Sequence, residues 1–316
     1  MLRTHALPLS GAVILLILVA TLMLMWGQYP VDFQTLSGFL HYKLFGGETQ
    51  ADYALLENII VQIRLPRILL AMLIGAALAT SGAAFQAMFV NPLVSPGILG
   101  VLAGASFGAA LGMLISEQWW IVQLLAFAFG FVAVGFAVMV GSMVRSGRSS
   151  IMLVLGGVIS GSLFTALLSV IKYVADPYST LPAIVYWLMG SLSLADLDEV
   201  SLAAVPILLS IGGLVLLGKY FDLLSLGDEE ARALGINVAR IRMIAIVLAT
   251  LAGSLSVVMA GIIGWVGLII PHIIRMAFGP SHTLLLPLSA IAGAAFLLLA
   301  DSVSRLALSV EIPIGI

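Results

Sequence analysis

The chain has 316 residues, 62% of them hydrophobic and only 9% charged, with a formal net charge of −2. Soluble domains carry roughly a quarter charged residues, so this composition, with a mean hydropathy of +1.20, excludes an ordinary water-soluble domain and offers nucleic acid no basic surface. With no cysteine at all, disulfides, thiolate chemistry and cysteine metal sites are excluded.

Apolar runs of about 20 residues fit helices that cross roughly 30 Å of hydrocarbon. Their lack of alternation excludes a barrel, so the expectation is an all-α polytopic membrane protein. Residues 7–26, preceded by Arg3 and His5, resemble a signal peptide, but the run is long and lacks a small-x-small cleavage site. It reads as a retained first span. A polar segment, 28–58, follows with Asp32, Lys43, Glu48, Asp52 and Glu57. The second span covers 64–88, with Pro66 in its first turn, where a missing N–H costs nothing.

Asn91-Pro92 and Ser95-Pro96-Gly97 then break the chain. Spans follow at 98–115 and 119–144, a basic turn at 145–148, and a fifth span at 150–174 that ends at Asp176-Pro177. Residues 181–194 are apolar but short, which suits an interfacial or re-entrant helix with Tyr186 and Trp187 at headgroup level. A sixth span covers 202–217, a charged segment 219–242, and spans seven to nine cover 243–263, 265–278 and 284–308. Gly75, Ala79, Ala83 and Ala87, and Gly100, Gly104, Gly108 and Gly112, recur every four positions. Such faces let helix backbones approach closely in lipid and indicate tight packing.

Arg3, Arg145, Arg148, Lys219, Arg232, Arg240, Arg242 and Arg275 fall on one side of this topology, and Lys43, Arg64, Arg67, Lys172 and Arg305 on the other. The positive-inside rule places the first set in the cytoplasm. No Walker A loop is present, since Gly213 and Gly218-Lys219 are followed by Tyr220 where Ser or Thr is required, and no HExxH occurs. The ionisable candidates within spans are Asp301, four residues before Arg305 and so placed for a helical ion pair, and His272, expected to make a structural hydrogen bond. Ion-driven transporters keep acids or histidines near the midplane. This chain reads instead as a transporter energised by a partner at one face.

Residues 225–242, SLGDEEARALGINVARIR, supply a contact for that partner. Ser225 or Gly227 can start a short helix, Asp228, Glu229 and Glu230 complement its positive end, and Gly235 suits a left-handed C-terminal cap. Polar residues in span five, Ser160, Ser162, Thr165 and Ser169, fit either a path lining or helix packing.

Several blocks together resemble the FecCD-type permeases, the membrane subunits of ATP-driven importers for iron chelates, haem and cobalamin. They are RLPR at 64–67, 82–86, NPL at 91–93, PGILG at 96–100, GIIGWVGLIIPHIIR at 261–275, DSVSRL at 301–306 and EIPIG at 311–315. The resemblance implies a type II importer permease: one transmembrane domain, 1–316, with ten spans per subunit. The tenth span would lie beyond Ile316, so a truncated sequence is expected. It implies a homodimer or pseudo-dimer in a prokaryotic inner membrane and two cytoplasmic ATPase subunits that carry the ATP and Mg. It further implies a periplasmic or lipid-anchored binding protein, and neither catalysis nor a cofactor in this chain. By position, Ser225, Gly227, Asp228, Glu229, Glu230, Ala231, Ala233, Leu234 and Gly235, within the coupling segment 219–242, resemble the helices that fit the ATPase cleft. Arg64, Arg67 and Arg305 resemble the arginines that meet glutamates of the binding protein, for which guanidinium forks are suited. Ser149 and Ser150 resemble a cytoplasmic gate. Ferric siderophore is the first expectation for the cargo, with haem, cobalamin and molybdate or tungstate as alternatives. An ion-coupled secondary transporter and an exporter are more distant ones.

Overall fold

A computed structural model describes residues 2–27, 29–46, 53–143, 149–307 and 310–315. It is all-helical over those residues. In chain order the helices are α1 (Leu2–Met25), α2 (Phe33–Phe45), α3 (Tyr53–Leu56), α4 (Leu65–Phe89), α5 (Val101–Ile115), α6 (Trp119–Ser142) and α7 (Ser149–Val174). Then come α8 (Thr180–Leu188), α9 (Leu197–Leu216), α10 (Gly218–Leu224), α11 (Asp228–Ala233), α12 (Val238–Ala260), α13 (Val266–Phe278) and α14 (His282–Leu306). A π-helical stretch, Glu57–Arg64, joins α3 to α4, and a 3₁₀ turn, Pro96–Leu99, precedes α5. Seven described helices are long and apolar enough to cross a membrane, and α5 and α13 are shorter apolar helices. They correspond to the nine runs read from the sequence.

Two expectations needed revision. The polar segment before the second span is largely helical, because Asp32 caps α2 by accepting the Thr35 amide at 2.7 Å. Leu36 and Phe39 then bury against Tyr53, Leu56 and Ile60. The second span also starts earlier, since Tyr53–Phe89 is one continuous helix of 37 residues. The polar segment's apolar residues fall on one face and bury together, which its overall polarity conceals. Glu48, Asp52 and the basic turn with Arg145 and Arg148 lie outside the described residues.

Helix α4 is the axis of the bundle. In its apolar window 78% of residues are buried, against 11% for α1 at the periphery. Burial on that scale requires small residues at the crossings, as lipid supplies no hydrophobic drive and dispersion at close approach must hold the helices. Where α4 crosses α14, a methyl at Gly75 would strike the Gly293 carbonyl, and one at Gly82 would strike Gly267 of α13. The four-residue repeat in α5 does the same against α6, where Gly104 faces Phe129 and Ala133, Gly108 faces Leu125 and Gly112 faces Val122. Helix α4 ends in a Schellman-type turn, with the Asn91 amide on the Gln86 carbonyl (3.0 Å) and the Val90 amide on that of Ala87 (3.2 Å). Val90 sits there at φ +48°, a strained choice for a β-branched residue.

Candidate functional site

Charged side chains gather at the two ends of the bundle and almost nowhere between. At one end, three guanidiniums predicted from RLPR and DSVSRL converge. Arg67 is 8% exposed and Asp301 fully buried. The Arg67 Nε donates to both carboxylate oxygens of Asp301 (3.0 and 3.1 Å), and its Nη2 donates to Oδ1 at 2.7 Å. Arg67 also pairs with Glu311 from the chain's final segment. Arg305, one helical turn beyond Asp301, donates to Asp301 Oδ2 at 3.1 Å, which is the i,i+4 pair expected from spacing. Two carboxylates face three guanidiniums, so the cluster keeps one net positive charge.

That extra cation is Arg64. It is 5% exposed and donates to the carbonyls of Leu24 and Tyr29. Leu24 lies in the last turn of α1, whose carbonyls lack helical partners, so Arg64 finishes that helix end. The fit requires Gly27, since a methyl there would lie 2.6 Å from Arg64 Nη2. Arg64 and Arg67 are thus turned inward, whereas Arg305 is half-buried at the edge of a cavity of about 280 Å³ that all three line. The EIPIG segment closes the same end. Besides Glu311, the Ile312 carbonyl accepts the Ser304 hydroxyl, and the Ile314 amide donates to the Gly190 carbonyl (3.1 Å) after α8.

At the opposite end, α10 and α11 form a short protrusion. The predicted helix is present with Gly227 at its start, at φ +119°. Its exit is a Schellman motif: Gly235, at φ +83°, donates to the Arg232 carbonyl (2.9 Å), and Ile236 donates to that of Ala231 (3.0 Å). Ser225 is not the cap, since its hydroxyl donates to Phe221 O within α10.

The protrusion is anchored rather than loose. Ala231 and Phe221 are fully buried with Phe85 and Met88 of α4 and Leu286 of α14. Asp228 accepts both Nη groups of the buried Arg242 (2.8 and 2.7 Å), and Arg242 reaches the Met88 carbonyl. Asp222 of α10 accepts the amide (2.6 Å) of His282 and contacts its Nδ1 (2.9 Å), fixing the start of α14. The outward side carries Leu226 and Leu234, 60% and 59% exposed, with Glu229, Glu230, Arg232, Ala233 and Gly235 also exposed. An apolar tip ringed by charges suits a cleft in a partner.

Ser149 and Ser150 open α7 at this same end, and their side chains lie outside what is described. On α7, Ser160 is fully buried and donates to the Ala133 carbonyl at 2.7 Å, which makes it a packing residue. Ser162, Thr165 and Ser169 are exposed beside a cleft of about 590 Å³. His272 is exposed and makes no hydrogen bond among the described residues, contrary to the expected structural role. The α13 polar contact instead uses Arg275, which donates to Gln86 Oε1 at 2.7 Å. Sequence reasoning also missed Asp222, Asp228 as a clamp, and Glu311. Their only signal was opposite charges at the same end of the bundle.

The sequence model of the FecCD transport family matches residues 14–316. The molybdate import system permease protein MolB of Haemophilus influenzae is 38% identical over 98% of this chain and 90% of its own length. A probable iron chelatin transport system permease of Helicobacter pylori is 41% identical over 83% of the chain and 78% of its own. The vitamin B12 import system permease BtuC of Salmonella paratyphi A is 39% identical over 82% and 79%. Among solved structures, an inward-facing conformation of a transporter assigned to the metal-chelate ABC type superposes with a TM-score of 0.87. It is 36% identical and covers 97% of this chain and 93% of its own.

Proposed function

Because this chain belongs to the FecCD transport family, as a multi-pass permease of an ATP-binding-cassette importer, we propose that it carries a metal chelate inward, with the α10–α11 protrusion as its coupling element. Two copies would enclose the path, two ATPase subunits holding ATP and Mg would grip the protrusions, and a periplasmic or lipid-anchored protein would deliver cargo at the Arg67 end. The membrane would be a prokaryotic inner membrane. The carrying observation is the anchored protrusion: Asp228–Arg242 and Ala231 fix it to the core, while Leu226 and Leu234 remain exposed. Movement imposed on it reaches α4 through Met88 and α14 through His282. Helix α14, of 25 residues, is about 37 Å long and ends at the arginine cluster.

At that cluster, carboxylates of the delivery protein would engage the half-buried Arg305 directly and draw on the cluster's excess positive charge, with Arg64 and Arg67 shaping the rim. Ser149 and Ser150 would gate the inner mouth, and Ser162, Thr165 and Ser169 would face the path. Ferric siderophore is the favoured cargo, supported by the iron-chelatin and metal-chelate relatives. Molybdate is the second reading, favoured by the near full-length similarity to MolB. The material held by the cognate binding protein, read by mass and absorption spectrum, separates the two.

The test of coupling uses the chain purified with its companions from its own membrane. An ATPase subunit is expected to co-purify, and L226D/L234D is expected to release it without lowering the permease's thermal stability. An ATPase that never accompanies the wild-type chain, or one that stays bound to the double variant, would refute the proposal.

A further inference from the structure

Helices α6, α9 and α12 leave a groove of about 870 Å³ between them that no contact described so far uses. Its walls are apolar, built on Leu202, Val205, Leu255 and Val258, with Gln123, Asp198 and Glu199 at its mouth. From Asp198 to the lining Pro206 it descends along α9 by about 12 Å, at 1.5 Å per residue. A second cleft, about 210 Å³, shares Gln123, Glu199, Val258 and Met259 with it and is rimmed by Trp119, Tyr186 and Trp187. The groove therefore runs from an aromatic rim suited to the headgroup layer down into the apolar belt. Pro206 offers no amide to the Leu202 carbonyl, so α9 is loosened where both residues line the groove.

The mouth carries uncompensated charge. Asp196 caps α9, accepting the Asp198 amide at 2.8 Å, and this leaves the Asp198 and Glu199 side chains exposed. Neither forms an ion pair among the described residues. Their position in the first turn of α9 suits the helix dipole, but it does not account for an apolar groove opening directly beneath two carboxylates. A cation carried on an apolar tail complements both the carboxylates and the groove beneath them.

We propose that this groove is a binding site for a phospholipid with an ammonium headgroup, of the phosphatidylethanolamine class. One acyl chain lies along α9 toward Pro206, the ammonium sits between Asp198 and Glu199, and Trp119 and Trp187 flank the glycerol region.

The test is native mass spectrometry of the purified full chain in detergent, supplied with phosphatidylethanolamine or phosphatidylglycerol of identical acyl chains. Phosphatidylethanolamine is expected to be retained about tenfold better, the scale of two exposed charge pairs. D198N/E199Q is expected to abolish that preference, and L202W/V205W, which narrows the groove from its α9 wall, to lower retention of both lipids. Both sets lie at lipid-facing positions, and unchanged thermal stability verifies that they fold. Equal retention of the two lipids by the wild-type chain overturns the proposal, as does a preference that survives D198N/E199Q. So does crosslinking of the Leu202→Cys variant to a second copy in membranes, since the groove would then be an interface between copies.

Discussion

Arg67 and Asp301, separated by 234 residues in sequence, are joined by three hydrogen bonds of 2.7 to 3.1 Å at the end of the bundle where α4 and α14 meet. Asp301 is completely buried and is shared with Arg305. Removing one partner of a buried ion pair leaves the other charge uncompensated, at a cost of about 3–5 kcal/mol. Asp301→Ala is therefore expected to lower thermal stability in detergent markedly, and Glu311→Gln, at a partly exposed carboxylate, much less. Equal effects of the two would mean that burial of Asp301 does not set the strength of the cluster.

The Gly75–Gly293 crossing predicts a second effect. A methyl at either glycine meets the other's backbone carbonyl, which cannot move aside as a side chain can. Gly75→Ala and Gly293→Ala are each expected to destabilise by about 1–3 kcal/mol through overpacking. Gly135→Ala and Gly212→Ala have open space around the added methyl and are expected to be neutral or stabilising by about 1 kcal/mol from helix propensity. Chemical denaturation of the four variants in one detergent makes the comparison. Loss of stability at Gly135 or Gly212 equal to that at Gly75 would remove crossing geometry as the cause.

A pH effect follows at α2. The Thr35 amide donates to the Asp32 carboxylate and holds it below the usual carboxylate range. The charged form is favoured in the folded state, so the unfolded state binds more protons. The cap's contribution is complete above the ordinary carboxylate pKa and is lost as pH falls through the lowered folded value. Protection of the first α2 amides, taken against the unprotected exchange rate at each pH, is expected to fall across that acidic window in the wild type. Asp32→Ala should lack that protection at every pH, and a variant that keeps the wild-type pH profile of protection would exclude Asp32 as the group responsible.

Much of this was legible from residues alone, for local reasons. Glycine spacing marked the crossings, Gly235 marked the end of α11, and the interval from Asp301 to Arg305 marked a helical pair. Helix α2 was missed because an amphipathic helix outside the bilayer has neither the hydropathy of a span nor the length to stand out. His272 was misread because its neighbours in sequence do not reveal which face of α13 turns outward.

By itself the sequence determined that lipid, not water, solvates this chain, that its spans are helical, and that its charges fall at their ends. Each follows from composition and periodicity, which act over a few residues and are fixed before the chain folds. The tertiary structure alone decided which charges meet. It turned Arg64 onto the end of α1 and Arg67 onto Asp301 and Glu311, and it made Arg242 the clamp of the protrusion through Asp228. Pairings across tens or hundreds of residues depend on how helices cross, and the crossings depend on which small residues let two backbones touch.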